Sequence, residues 1–223
     1  MSERYVIKRL PVVSREGYVV RAASGRRVLH LGCAASPFTL HQIASGTLLH
    51  ASVTKVAREC VGVDLDASAL ASLERHGFGN LVQADVEALT HVKLGEPFEL
   101  IIAGELLEHL SNPGRCLDGL RPVLAPRGEI LITVPNAFGL KALLRVAAGI
   151  ELVHQDHVCY FSVRTLARLC EAHAFECTVV AFYSHQPRGR WKRTVEAATF
   201  GVARALAPQL SDGLIARVHS ALS

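Results

Sequence analysis

The chain has 223 residues, 50% hydrophobic and 20% charged, which suits one α/β domain with a full core and excludes a disordered polymer. Its 24 basic and 20 acidic side chains leave a net charge of +4, too small to argue for a nucleic-acid partner. The charged start Met1-Ser2-Glu3-Arg4 predicts no secretory signal. The most apolar stretch, near Phe138, is interrupted by Lys141 and Arg145, so no membrane span is expected. The six cysteines (33, 60, 116, 159, 170 and 177) form no C-x-x-C pair. They read as reduced, packed thiols of a cytoplasmic protein rather than a redox or zinc centre.

Residues 1–24 form a lead-in, helical around Ser14 to Ala23. Arg26 to Leu31 reads as a buried strand that stops at Gly32. Leu48 to Arg58 has helical spacing, and Cys60 to Val63 is a second strand ending at Asp64. A helix follows over Ala67–His76 with Asp66 as N-cap, then a strand over Asn80–Ala84. Phe98 to Ala103 is a strand, Glu105 to Leu110 helical, Pro113 to Leu124 a helix and Gly128 to Val134 a strand. Ser162 caps a helix to His173, Glu176 to Ser184 is a long strand, and Leu214 to Val218 a terminal one. With no internal repeat, the chain reads as one domain, 1–223. Such alternation predicts right-handed crossovers and a doubly wound, mostly parallel sheet with helices on both faces.

In an open parallel sheet ligands bind outside the carboxyl ends of the strands, so the residues just after each strand are the ones to inspect. These are Gly32-Cys33-Ala34-Ala35-Ser36, then Asp64, then Asp85, then Gly104-Glu105. A glycine admits close approach of a ligand to the backbone, and a carboxylate at Asp64 can accept both hydroxyls of a ribose. A lone glycine there is an ordinary turn and a lone aspartate an ordinary helix cap. The ordered set points to a nucleotide-like ligand. A nicotinamide dinucleotide would need G-x-G-x-x-G, of which two glycines are missing here.

Val28-Leu29-His30-Leu31-Gly32-Cys33, Val61-Gly62-Val63-Asp64 and Gln83-Ala84-Asp85-Val86 resemble the first three motifs of class I S-adenosylmethionine-dependent methyltransferases. Phe98 to Leu110 and Leu124-Ala125-Pro126-Arg127-Gly128 resemble that family's fourth- and fifth-strand signatures. The resemblance covers roughly residues 26–185. It implies a seven-stranded Rossmann-like sheet with an antiparallel last strand, and S-adenosylmethionine as cofactor. Cofactor contacts are then expected from His30, Gly32, Cys33, Asp64, Leu65, Asp85, Val86, Gly104 and Glu105. Gly32 would lie near the methionine part, Asp64 at the ribose and Asp85 by the adenine amine. The chain departs from the family at His30, where an acidic residue is usual, and at Ala34, where a second glycine is usual. The connection from Ser36 to His50 is also longer than usual. These departures keep open a non-catalytic binding module built on the same fold.

If Glu105 to Leu110 is helical, Glu105, Glu108 and His109 stand at i, i+3 and i+4 on one face beside the methyl donor. One reading is a solvated helix start, where acidic residues are electrostatically favoured. The other is a divalent metal site: two carboxylates suit Mg²⁺ or Mn²⁺, and an added imidazole tilts toward Mn²⁺, Fe²⁺, Co²⁺ or Zn²⁺. The E-x-x-E-H spacing resembles the ubiquinone-biosynthesis O-methyltransferases and the small-RNA terminal 2′-O-methyltransferases. The latter add a later D-H, matched here by Asp156-His157. A fourth ligand could come from His154-Gln155-Asp156-His157, and the resemblance implies Glu105, Glu108, His109 and His157 as metal ligands, with His109 and His157 the candidate catalytic groups. Ala103-Gly104-Glu105-Leu106 lacks the Asn/Asp-Pro-Pro-aromatic run of adenine N-methyltransferases. Ser111-Asn112-Pro113 and Val134 to Phe138 also resemble bacterial methyltransferases of glycan or secondary-metabolite pathways. O-methylation of a small-molecule or glycan hydroxyl is the expectation.

Arg188, Arg190, Lys192 and Arg193 precede an apolar segment with Trp191, Val195, Ala198, Val202 and Leu206 near helical spacing. Residues 187–210 are expected to form a helical insertion, packed on the domain or on a homodimer partner. The alternative for 188–206 is contact with a membrane surface that carries a lipid-linked acceptor.

Overall fold

The computed structural model describes residues 4–185 and 199–221. In chain order the elements are β1 (Val12–Val13), α1 (Arg15–Ala23), β2 (Arg27–Leu31), α2 (Thr39–Ala44), α3 (Leu49–Thr54) and β3 (Glu59–Asp64). Next come α4 (Ala67–Arg75), β4 (Leu81–Gln83), β5 (Phe98–Gly104), α5 (Pro113–Leu120) and β6 (Leu124–Pro135). The chain then runs through α6 (Leu140–Ala147), α7 (Val163–Ala172), β7 (Phe175–Tyr183) and β8 (Gly213–Ser220). The strands form a single sheet in the order β1-β7-β8-β6-β5-β2-β3-β4. Every pairing is parallel except those of β8, which is antiparallel to both β6 and β7.

Alternation along the central strands builds the core. Leu29, Leu31, Val61, Val63, Ile101 and Ala103 point to one face and join Cys116, Leu117 and Leu120 of α5 and Leu166 and Cys170 of α7. Val28, Cys60, Leu100 and Ile102 point to the other and meet Val19 and Ala23 of α1 and Val53 of α3. A strand buried on both faces is apolar along most of its length, which is why these runs stand out in the sequence, with His30 of β2 the exception.

Caps set where the helices begin. The Ser14 hydroxyl accepts from Gly17 N, Asp66 accepts from Ser68 N and Ala69 N, and Asn112 accepts from Arg115 N ahead of Pro113. Ser162 and Thr165 form a reciprocal capping box at α7. Each such cap is worth about 1 kcal/mol.

The sheet has the expected Rossmann-like winding and antiparallel terminal strand, with one strand more than the seven expected. Val12 and Val13 pair in parallel with Phe182 and Tyr183 at the sheet edge, a strand too short to show alternation in sequence. The helix expected over 48–58 is confined to α3, with α2 ahead of it, and α6 was not anticipated. The helix expected to reach Leu124 stops at Leu120, where Arg121-Pro122-Val123 makes a 3₁₀ turn. The largest difference lies at Glu105 to Leu110, which is not an α-helix. Only Leu107–His109 makes a 3₁₀ turn. Glu105 N donates to Thr133 O of β6 at 2.7 Å, and the Glu108 carbonyl, which a helix would need, accepts from Val158 N at 2.9 Å.

Among the described residues no helix is long and apolar enough to cross a membrane. Helical turns are present at 199–206, with Val202 and Leu206 exposed. The basic residues 188–193 and the start of the expected insertion lie outside the described residues.

Candidate active site

The chain runs outward from β2 to β4 in one direction and from β5 to β6 in the other, so the strand order reverses between β2 and β5. At the carboxyl ends there, a cleft of about 440 Å³ opens. Its wall includes His30, Gly32, Cys33, Asp64, Gly104 and Glu105, six of the nine residues expected to contact a cofactor. Leu65, Asp85 and Val86 are not part of that wall. Leu65 is exposed, Val86 is packed in the core, and Asp85 caps a 3₁₀ turn by accepting from Glu87 N at 2.8 Å.

Gly32 adopts φ +65°, and a Cβ there would stand 3.3 Å from Leu106 Cδ1. Its neighbour in the turn, Ala35, also takes a left-handed φ of 54°, at about 1 kcal/mol of strain. Ala34 N donates to Asp64 Oδ2 at 2.9 Å, and Asp66 N donates to Asp64 Oδ1 at 3.1 Å. The Asp64 carboxylate is thereby aimed from the end of β3, with a lone pair left on each oxygen for a hydroxyl.

His30 is buried with its Nδ1 3.2 Å from His50 Nδ1, so one ring donates to the other. Burial, the neighbouring His50 and then Arg15 push the His30 pKa well below its usual value. Burial likewise takes His50 down to about 4. Both rings are neutral at physiological pH, so the position that usually carries an acid carries no charge here. Burial, then Asp64, pushes the Cys33 thiol far above its usual pKa and removes it as a nucleophile.

Glu105 leaves β5 with a left-handed φ of 53°. Its Oε1 accepts from the Tyr183 hydroxyl and lies 3.4 Å from His185 Nε2. Burial opposes its charge, but the hydrogen bond from His185, the Arg15 guanidinium and the Tyr183 hydroxyl outweigh it and hold the carboxyl at about 2. The hydrogen bond to Glu105 in turn raises His185. Arg15 reaches the cleft from α1, its Nε donating to Thr133 Oγ1 at 2.8 Å.

Among the described residues, neither carboxyl oxygen of Glu108, only 1% exposed, has a hydrogen-bond partner. Burial, reinforced by the Glu105 charge, pushes it up to about 8. It lines the same cleft as His109, His154 and His157, whose ligand atoms all lie within 4.8 Å of one another. Ring centroids are 4.5 Å apart for His109 and His157, and 5.3 Å for His154 and His157. Burial, then His109 and His154, depresses His157. Residues 105–110 are not an α-helix, yet Glu105, Glu108 and His109 all line the one cleft. His109 and His157 come together as expected and are joined by His154, whereas Glu105 turns to Tyr183 and His185.

Arg15, Tyr183 and His185 were not among the residues expected at the site. Inspecting the strand ends would have found the last two, since β7 runs parallel to the central strands and opens at the same edge. Arg15 carries no such signal beyond following a helix cap. Asn136, in the Pro135-Asn136 run, ties two loops together, its Nδ2 donating to Gln209 O and Ser211 O, both at 2.9 Å.

The reversing parallel sheet, its antiparallel strand β8 and the cleft at the switch point define a Rossmann-like methyltransferase fold. Residues 7–180 match the family described as a methyltransferase domain, and the chain belongs to that family. It is 26% identical over 176 residues to the ubiquinone biosynthesis O-methyltransferase of Aromatoleum aromaticum, covering 74% of this chain and 70% of that one. It is 26% identical over 136 residues to the namesake enzyme of Burkholderia lata, covering 59% and 53%, so that match spans about half of the relative. Among solved structures, a SAM-dependent methyltransferase from Archaeoglobus fulgidus superposes with a TM-score of 0.57 at 18% identity, covering 92% of each chain. One from Mesorhizobium loti gives 0.53 at 17% identity, covering 92% of this chain and 97% of that one. Membership of this family displaces the nicotinamide reading.

Proposed function

We propose that the protein is an S-adenosylmethionine-dependent methyltransferase acting on a hydroxyl of a small molecule or glycan, with a divalent cation at His109, His154 and His157. The observation that carries this reading is a single cleft holding three kinds of group. They are a ribose-type acceptor at Asp64, opposite charges at Arg15 and Glu105 that suit a zwitterionic tail, and the histidine cluster beside them. Methyl transfer is a displacement at a sulfonium carbon, so holding nucleophile, methyl and sulfur in line supplies much of the rate.

The residues present fit a cation. Three imidazoles can each offer one nitrogen, and the unpartnered Glu108 carboxyl lines the same space. Nitrogen donors favour Mn²⁺, Fe²⁺, Co²⁺ or Zn²⁺ over the oxygen-seeking Mg²⁺. When bound, such an ion lowers the pKa of a coordinated hydroxyl. The Asp156 backbone N donates to His154 Nδ1 at 3.3 Å and fixes the direction of that ring.

Calorimetry with S-adenosylmethionine and its demethylated product tests the cofactor. Turnover across an acceptor panel, with Mn²⁺ or with a chelator, tests catalysis and metal dependence. His157→Ala is expected to abolish turnover and keep cofactor binding; retained turnover removes the histidine cluster from the mechanism. The departures at His30 and Ala34 favour one second reading, a cofactor-binding module without turnover. Tight cofactor binding with no methylated product from any acceptor would support it.

A further inference from the structure

We infer that the Glu105 carboxylate, braced by Tyr183 and His185, is the seat of the cofactor's α-ammonium group. This rests on the reading that the cofactor is S-adenosylmethionine and assigns one end of it. The molecule presents two ribose hydroxyls and, past the sulfonium, an ammonium and a carboxylate. The hydroxyls need acceptors and the ammonium needs an anion.

Asp64 and Glu105 end β3 and β5, which flank β2, so their backbones stand about 10 Å apart at two strand spacings. That span matches the reach from the ribose to the amino-acid end of the cofactor. Gly32, at the end of the intervening β2, leaves the floor between them clear, and among the described residues only Leu106 comes close to its missing side chain. His30 rises on the same wall without charge and offers no anion. Glu108 lines the cleft but is only 1% exposed, with both carboxyl oxygens sealed from solvent.

Glu105, by contrast, is built to stay charged and fixed. Its left-handed backbone turns it out of the ladder. Tyr183 and His185 both address Oε1, and among the described residues no hydrogen bond reaches Oε2, the atom assigned to the ligand. Arg15 lies on the same wall, so an incoming zwitterion meets a charge of each sign.

The test compares two thioethers by calorimetry: the demethylated product of S-adenosylmethionine, and the same compound with hydrogen in place of the amino group. A charge-assisted hydrogen bond predicts that the wild type prefers the amino compound by about 10- to 100-fold. Glu105→Gln, checked for folding by circular dichroism, is expected to shrink that preference to roughly threefold or less. Tyr183→Phe, which keeps the carboxylate, is expected to retain most of it.

A wild-type preference near one overturns the inference without any variant. So does an undiminished preference in Glu105→Gln, or Glu105→Gln losing Mn²⁺ binding while the preference stays. A wild type that binds neither thioether sinks the cofactor reading itself, an outcome separate from these.

Discussion

The ring of Tyr183 fills the space in which a side chain on Gly213 would stand. A Cβ at Gly213 would fall 2.1 Å from Tyr183 Cζ and 2.5 Å from its hydroxyl oxygen. The two residues are register partners across β7 and β8, so the smallest residue on one strand makes room for the group that braces Glu105 from the other. Gly213→Ala is therefore expected to push the ring aside, destabilise the fold by about 1–3 kcal/mol and weaken product binding several-fold. Denaturant melts and calorimetry read the two effects, and unchanged values for both would refute the packing argument.

Gly62 lies in β3 where a Cβ would meet Cys33 Sγ at 2.7 Å, Leu81 Cδ2 at 2.8 Å and His50 Cε1 at 2.9 Å. None of these is the free end of an exposed chain. Gly62→Ala should cost about 2–3 kcal/mol, seen as a lower urea midpoint at an unchanged denaturant slope.

The buried His30–His50 pair predicts an acid limb in stability. His50 falls from 6.5 when free to about 4 in the fold. Between those values the unfolded chain takes a proton that the native chain refuses, so stability drops as pH falls through this window, by up to about 3 kcal/mol from His50. His50→Gln, which keeps a hydrogen-bonding partner for His30, should flatten that limb in melts taken near pH 7 and at about pH 4.5. A limb of wild-type steepness would exclude His50 as its source.

Glu108 acts in the opposite sense. Its carboxyl rises from 4.5 to about 8, so through that window the native chain keeps a proton that the unfolded chain has released. The stability it lends is full below the lower value and is lost as pH rises toward the higher one. In chelator-treated protein, Glu108→Gln should stabilise by about 2 kcal/mol near pH 8 and by less near pH 6. An equal gain at both would mean that the charge is not the cause.

The cofactor half of the cleft was legible in the chain because it follows from local rules. Val28 to Leu31, apolar except for His30, and Val61 to Val63 are buried runs, each stopped by a residue that lines the cleft, Gly32 and Asp64. The histidine cluster was legible in part. The pairing of His109 with His157 was expected, but the helix expected to carry Glu105, Glu108 and His109 is prevented by the strand contacts of Glu105 and the Val158–Glu108 hydrogen bond.

Periodicity, caps and strand-end residues are properties of neighbours along the chain, and they carried the winding of the sheet and the place of the cleft. The charge state of the wall is of another kind. Glu105 stays anionic because His185, Arg15 and Tyr183 come to it from distant parts of the chain, and Glu108 three positions later is driven toward neutrality because it is sealed from water. Two identical side chains separate in pKa through burial and long-range partners, and those exist only once the strands have been brought together.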